Sequence, residues 1–252
     1  MTRKLLADSV LAMITGYHSR RALLLAALSI VCFMICGGGS MAADLEAILA
    51  GFDKAQASFK TLSADFTQTT TTPMLTDSIV AEGRFYMTKP DAIRWEYTIP
   101  EEMSFVITKD KYTGYYPERK RAERKNVQRY SKQIFRYFGL GQGSEQLAKY
   151  YDIHLVQPES EKPETYLLSF EPKKKRARKR VTEVLFWVDS TTFLPVKVEY
   201  HGKSGSIRVV EFQEIRLNPE LAASLYSMQI PADVTVTTGF GGMGGLNPGK
   251  GQ

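Results

Sequence analysis

From Ile79 to Pro117 the chain reads IVAEGRFYMTKPDAIRWEYTIPEEMSFVITKDKYTGYYP. Apolar residues hold the odd positions Phe85, Met87, Ile93, Trp95, Tyr97, Met103, Phe105 and Ile107. Polar residues hold the even positions Arg84, Thr88, Arg94, Glu96, Ser104 and Thr108. Period-two alternation marks strands with one oily and one wet face. Lys-Pro, Ile-Pro and Lys-Asp turns cut the stretch into three or four strands. Such a face needs a cover, and the rest of the chain has to supply it.

The first candidate cover is a helix from Asp44, with Leu45, Ile48, Leu49, Phe52 and Phe59 at helical spacing. Thr61–Thr72 follows as a Thr-rich strand ending at Pro73, either an edge strand with a wet outer face or a binding surface. A second candidate lies at Ser131–Leu140, where Ile134, Phe135, Tyr137 and Phe138 form a short apolar helix ending among Gly139, Gly141 and Gly143. Between glycines it reads either as a removable lid or as a crossover helix plugging the core. Ser144–Tyr150 adds a second short helix. Strands resume at Tyr151–Val156, Tyr166–Phe170, Val181–Val188, Pro195–His201 and Ser206–Phe212. Asn218-Pro219-Glu220 opens a helical turn, and Leu225–Val236 closes the chain as a strand interrupted by Pro231. The count is about ten strands with no internal repeat. The expected fold is α+β, a single strongly curved antiparallel sheet covered by an N-terminal helix and short helices.

Residues 1–42 have the form of a signal peptide with a long n-region. Arg20 and Arg21 precede the apolar run Ala22–Cys36, and Ser40-Met41-Ala42 offers small residues for cleavage near Ala42. Export to the periplasm is the expectation. Arg3, Lys4, Arg20 and Arg21 against Asp8 account for half of the net +6, so the remainder is only mildly basic. Both cysteines, Cys32 and Cys36, fall in this leader, which removes disulfides and thiolate chemistry from the exported chain.

Basic residues are clustered instead. Residues 118–129 (ERKRAERKNVQR) are a charge cluster, and 173–180 (KKKRARKR) hold seven basic residues in eight positions. Each reads either as a contact for an anionic surface or acidic partner, or as solvated structure, a hairpin arm at 118–129 and a hairpin tip at 173–180. Export argues against a nucleic-acid partner. Catalysis finds no footing either. His154 and His201 lie outside any motif, and there is no nucleophile elbow, no histidine pair at ligand spacing and no phosphate loop. No cofactor or metal is expected. The Gly-rich residues 238–252 read as a disordered tail.

In their order these segments resemble the LolA family of periplasmic lipoprotein carriers. Leu62-Ser63-Ala64-Asp65-Phe66-Thr67-Gln68 is similar to the family's first strand. Gly83-Arg84-Phe85-Tyr86-Met87-Thr88-Lys89-Pro90, then Ile93-Arg94-Trp95-Glu96-Tyr97 and Pro100, resemble its next hairpin. Tyr112–Pro117, Val188-Asp189 with Leu194-Pro195, and Tyr226 through Ile230-Pro231-Ala232-Asp233-Val234 continue the likeness, with Asp233 where the family has glycine. The resemblance covers residues 43–237. It implies an unclosed half β-barrel under a helical lid, with a hydrophobic cavity for acyl chains. Phe85, Met87, Ile93, Trp95, Tyr97, Phe105, Ile107, Val184 and Phe186 would line that cavity. Ile134, Phe135 and Phe138 would lie in the lid, and Lys89 falls where the family has a lid-holding arginine. The implied partners of such a monomer are an acylated lipoprotein or lipid, an inner-membrane ABC lipoprotein-releasing complex, and an outer-membrane acceptor or the membrane itself. The same fold also serves as a lipoprotein-binding sensor with a further C-terminal domain, or suits a glycolipid carrier. The short run after Val236 favours the carrier expectation.

Overall fold

The computed structural model describes residues 41–129, 143–156 and 164–239, with backbone only for 41–44. The expected lid with Ile134, Phe135 and Phe138, the expected leader up to residue 40, and the tail from 240 lie outside the described residues. Met1–Asp44 and Leu45–Gln252 are separate compact units, and the site lies in the second.

Helix α1 spans Met41–Ala57. Twelve strands follow: β1 Thr61–Thr71, β2 Ile79–Thr88, β3 Ala92–Ile99, β4 Met103–Ile107, β5 Lys111–Tyr116, β6 Arg121–Asn126, β7 Tyr151–Val156, β8 Thr165–Pro172, β9 Val181–Asp189, β10 Pro195–Gly202, β11 Ile207–Leu217 and β12 Thr235–Thr238. Two short helices sit between them, α2 (Ser144–Ala148) and α3 (Lys175–Arg178), with a 3-10 turn at Ala223–Tyr226. All strands join one open sheet in the order β12-β6-β5-β4-β3-β2-β1-β11-β10-β9-β8-β7. Every pairing is antiparallel except β12 with β6. This is the unclosed half-barrel, and β1, pairing β2 and β11, joins the two arms.

Aromatic side chains show how strongly the sheet curls. Trp95 on β3 and Phe212 on β11 are three strands apart, so a flat sheet would hold them about 14 Å apart. Their ring centroids are 6.1 Å apart. Phe85 and Phe212, two strands apart, lie at 5.8 Å. Curvature turns the alternating apolar face inward and gathers it into one cluster with Ile48, Phe52 and Ala55 of α1. Each such large side chain, fully buried, contributes roughly 1.5–3 kcal/mol.

One glycine permits this geometry. At Gly83 the β2–β3 register shifts. A Cβ there would lie 1.8 Å from the Glu96 carbonyl oxygen and 2.9 Å from the Phe66 ring. The bare backbone lets β3 approach and lets Phe66 place its edge on Trp95 and Tyr97, at 4.6 and 5.0 Å.

Three expectations change. The Thr-rich strand β1 is not an edge: it pairs with both β2 and β11 and lies inside the sheet. Asn218 does not open a helical turn. It sits at φ 55° and its side chain binds the α1–β1 link. The closing strand Leu225–Val236 is replaced by the 3-10 turn and the short β12, which pairs in parallel with β6. Pro231 lacks the N–H a continuous ladder needs, so pairing begins only at Thr235.

Replacing Gly83 by alanine is expected to destabilise the fold by about 1–3 kcal/mol through overpacking. Urea unfolding should show a lower midpoint with an unchanged slope. An unchanged midpoint would refute the close approach.

Candidate functional site

The inward face is built from both arms. Phe85, Met87, Ile93, Trp95, Phe105 and Ile107 of the first arm are 0–3% exposed. Val184 and Phe186 on β9 of the second arm are equally buried and belong to the same cluster. Tyr97 is half-buried at the margin, where its hydroxyl donates to Gln68 Oε1 at 3.1 Å. Burial pushes the Tyr97 phenol up to about 12, against the pull of Arg208. Gln68, Thr70 and Arg208 share its face by register, so the apolar wall gives way to a polar margin toward the ends of β1 and β3.

Near-zero exposure means that these side chains are almost completely covered. Among the described residues the cover includes Ile48, Phe52 and Ala55 of α1 and Leu147 of α2. Among the described residues one apolar crevice, lined by Leu62, Ala64, Leu194, Pro195, Phe212 and Ile215, has a volume of about 10 Å³. That is room for one water at most.

The cover is held by polar contacts on the second half of α1. Asp53 accepts from the Ser144 backbone N–H at 2.5 Å and from its hydroxyl at 2.6 Å. This ties α1 to the start of α2, whose Leu147 is buried in the core. Farther along, the Lys89 ammonium donates to the Gln56 backbone carbonyl and stands 3.4 Å from the centroid of the Phe59 ring. The last carbonyls of a helix lack intrahelical partners and carry negative partial charge, so a cation there is well placed. The Lys89 backbone N–H also donates to Lys60 O at 2.8 Å. Asn218 completes the clamp. Its Oδ1 accepts from Lys60 N–H at 2.8 Å and its Nδ2 donates to Ser58 O at 3.2 Å.

The family resemblance sets Lys89 against the lid segment. Its contacts among the described residues go to α1 and the residues just after it, while the lid segment lies outside the described residues. Asp53 and Asn218 are not singled out by the sequence. A lone Asp on a helix and an Asn before Pro carry no signal of partners 91 and 158 residues away.

No group of three or more His, Cys, Asp and Glu among the described residues could hold a metal ion. What the arrangement does chemically is to bury a wide apolar surface under a helix fastened by a few polar bonds. Burial holds the Lys89 ammonium down to about 8, below the ordinary lysine value. The unfolded chain therefore binds the proton more tightly, and stability rises as pH passes from about 8 toward 10.5. Urea titrations across that window should show this increment in the wild type and lose it in Lys89→Met. Parallel pH profiles would refute the buried ammonium.

Comparison with known proteins agrees with this geometry. The family model "Outer membrane lipoprotein carrier protein LolA" matches residues 57–229. Among curated proteins, none matches. Among solved structures, an uncharacterised conserved protein from Thermus thermophilus superposes with a TM-score of 0.50 at 14% identity, covering 77% of this chain and 99% of that one. A LolA-superfamily protein from Nitrosomonas europaea gives 0.40 at 14% identity, over 73% and 97% of the two chains. A putative outer membrane lipoprotein-sorting protein domain from Vibrio parahaemolyticus gives 0.41 at 13%, over 71% and 94%. The matching family is one of carrier proteins. Helix-covered half-barrel and family match point the same way: the chain belongs to the LolA family of outer membrane lipoprotein carrier proteins.

Proposed function

We propose that this protein is a periplasmic carrier that takes up the acyl chains of lipoproteins against the concave face and moves them from the inner to the outer membrane. The observation that carries the reading is the aromatic and aliphatic wall, Phe85 to Ile107 with Val184 and Phe186, covered among the described residues by helices rather than by a second sheet. Apolar surface released from water contributes about 25 cal/mol per Å². An acyl chain laid on this wall would replace contacts that α1 now makes. Because the wall is closed in this structure, uptake requires the cover to move aside. Met87 and Met103, unbranched and adaptable, suit a face that packs alternately on a helix and on chains of varied shape.

On this reading the cargo comes from an inner-membrane ABC lipoprotein-releasing complex and goes to an outer-membrane acceptor or to the membrane itself. The protein works as an exported monomer without a cofactor. The leader-like residues 1–42 and the family membership both support export.

Mass spectrometry of the protein purified from its own cell envelope tests the cargo. Acylated peptides, released on denaturation, are the expected ligands. A homogeneous glycolipid would replace lipoproteins as the cargo. Protein that carries nothing and takes up no fluorescent acyl probe would contradict the carrier.

A further inference from the structure

One end of the sheet collects features that the concave face does not use. The strand ends Pro172, Gly202, Thr71 and Ile99 and the strand starts Val181, Ile207 and Ile79 all lie there, by antiparallel register. The basic run 173–180 is the β8–β9 connection at this end, and α3 forms its middle. Its neighbour is the β10–β11 turn, since Lys203 N–H donates to Arg180 O at 2.9 Å. The next connection is β1–β2. A Cβ on Gly205 would lie 3.0 Å from Pro73 Cγ, so the two turns touch.

That β1–β2 tip is apolar and exposed. Met74 is 92% exposed, and Leu75, Ile79, Val80 and Ile99 are each about half exposed, at 48, 49, 46 and 50%. Ile99 belongs to the same patch because it pairs with Glu82 beside the start of β2. Five large apolar side chains stand singly along this rim, whose strip of connections also holds the basic helical turn.

The charges on the strip are unevenly satisfied. Asp152 faces Lys173 and Arg178 at 3.5 and 4.0 Å, and Lys174 lies over the Tyr150 ring. The side chains of Lys175, Arg176 and Lys179 make no hydrogen bond or ion pair among the described residues. Farther along the rim Glu101 is held by Arg119 and Asp233 by Lys120. Asp77, Glu102, Glu118 and, just before the basic run, Glu171 also lie at this end. The basic excess therefore sits on α3 and Lys203, and the apolar prongs sit beside it.

We propose that this rim docks the protein on an anionic phospholipid surface, with Met74 and Leu75 entering the headgroup–acyl boundary and Lys175, Arg176 and Lys179 pairing with phosphates. Prongs that stand out singly from turns do not form the flat patch that suits a protein partner, whereas a bilayer accepts them in any order. Basic residues beside them are attracted to an anionic leaflet within a Debye length. The rim is distinct from the concave wall, so docking and cargo binding are separable.

Sedimentation of the full-length protein with phosphatidylcholine vesicles, alone or mixed with phosphatidylglycerol, tests this. The wild type should bind the anionic vesicles more tightly, and added salt should erase the difference. Lys175→Glu/Arg176→Glu/Lys179→Glu should weaken anionic binding by roughly a hundredfold. Met74→Ser/Leu75→Ser should weaken it roughly tenfold or more even at high salt. The apolar run Ala22–Cys36 is common to all forms, so only differences between them report on the rim. Lys175→Gln/Lys179→Gln, a milder change, should lie between wild type and the charge reversal. Equal binding by wild type and variants would overturn the proposal. So would a wild type that prefers soluble polyglutamate and treats neutral and anionic vesicles alike.

Discussion

A sheet with one apolar face must lay that face on something, and here the sheet is single. Twelve strands at about 4.8 Å spacing would be far wider than one helix of roughly 10 Å diameter. The structure resolves the mismatch by curling. Trp95 meets Phe212 across three strand spacings, and the face that would lie open shrinks to a trough that α1 can cover. Gly83 enables this by letting β3 close on β2, and β1 bridges the two arms.

The cover is apolar toward the wall but fastened by polar contacts. Ile48, Phe52 and Ala55 supply burial, while Asp53, the Gln56 carbonyl and the segment after the helix are gripped by Ser144, Lys89 and Asn218. The division bears on the proposed carrier role. Apolar contacts are non-directional, so cargo can replace them with little net change. Each polar bond contributes only about 0.5–1.5 kcal/mol net, more with a charged partner. A few such bonds can therefore choose which position the helix holds. The Lys89 contact is the most responsive, because its cation is half-buried and its proton is held weakly.

Local patterns were legible where the physics is local. Alternation from Phe85 to Ile107 marked the wall because its inward residues are large and most of the outward ones polar, with buried Val106 an exception. The α1 stripe was legible for the same reason, although Phe59 proves to follow the helix rather than end it. Strand β6 was legible only as one of two readings, because its two buried residues, Ala122 and Glu123, are small and charged and the pairing of Glu123 with Arg121 leaves no sequence pattern. The parallel β12 could not be read, since its four exposed residues carry no face preference. Lys89 stood out by position, but its partner is a backbone carbonyl, which no sequence pattern marks. Asp53 and Asn218 act only across long chain separations. Whether the wall is open or closed depends on the packing of α1, which alternation alone cannot specify.

The central physical claim is that acyl chains reach the wall only when α1 moves away from it. The direct measurement is uptake of a fluorescent acyl probe by a chain in which α1 is tethered. Asp53→Cys with Ser144→Cys replaces a side-chain contact by a disulfide, in a background where Cys32 and Cys36 are serine. The reduced form should take up the probe like the wild type, the oxidised form should refuse it, and reduction should restore uptake. Equal uptake with the disulfide formed would contradict displacement of the helix as the route to the wall.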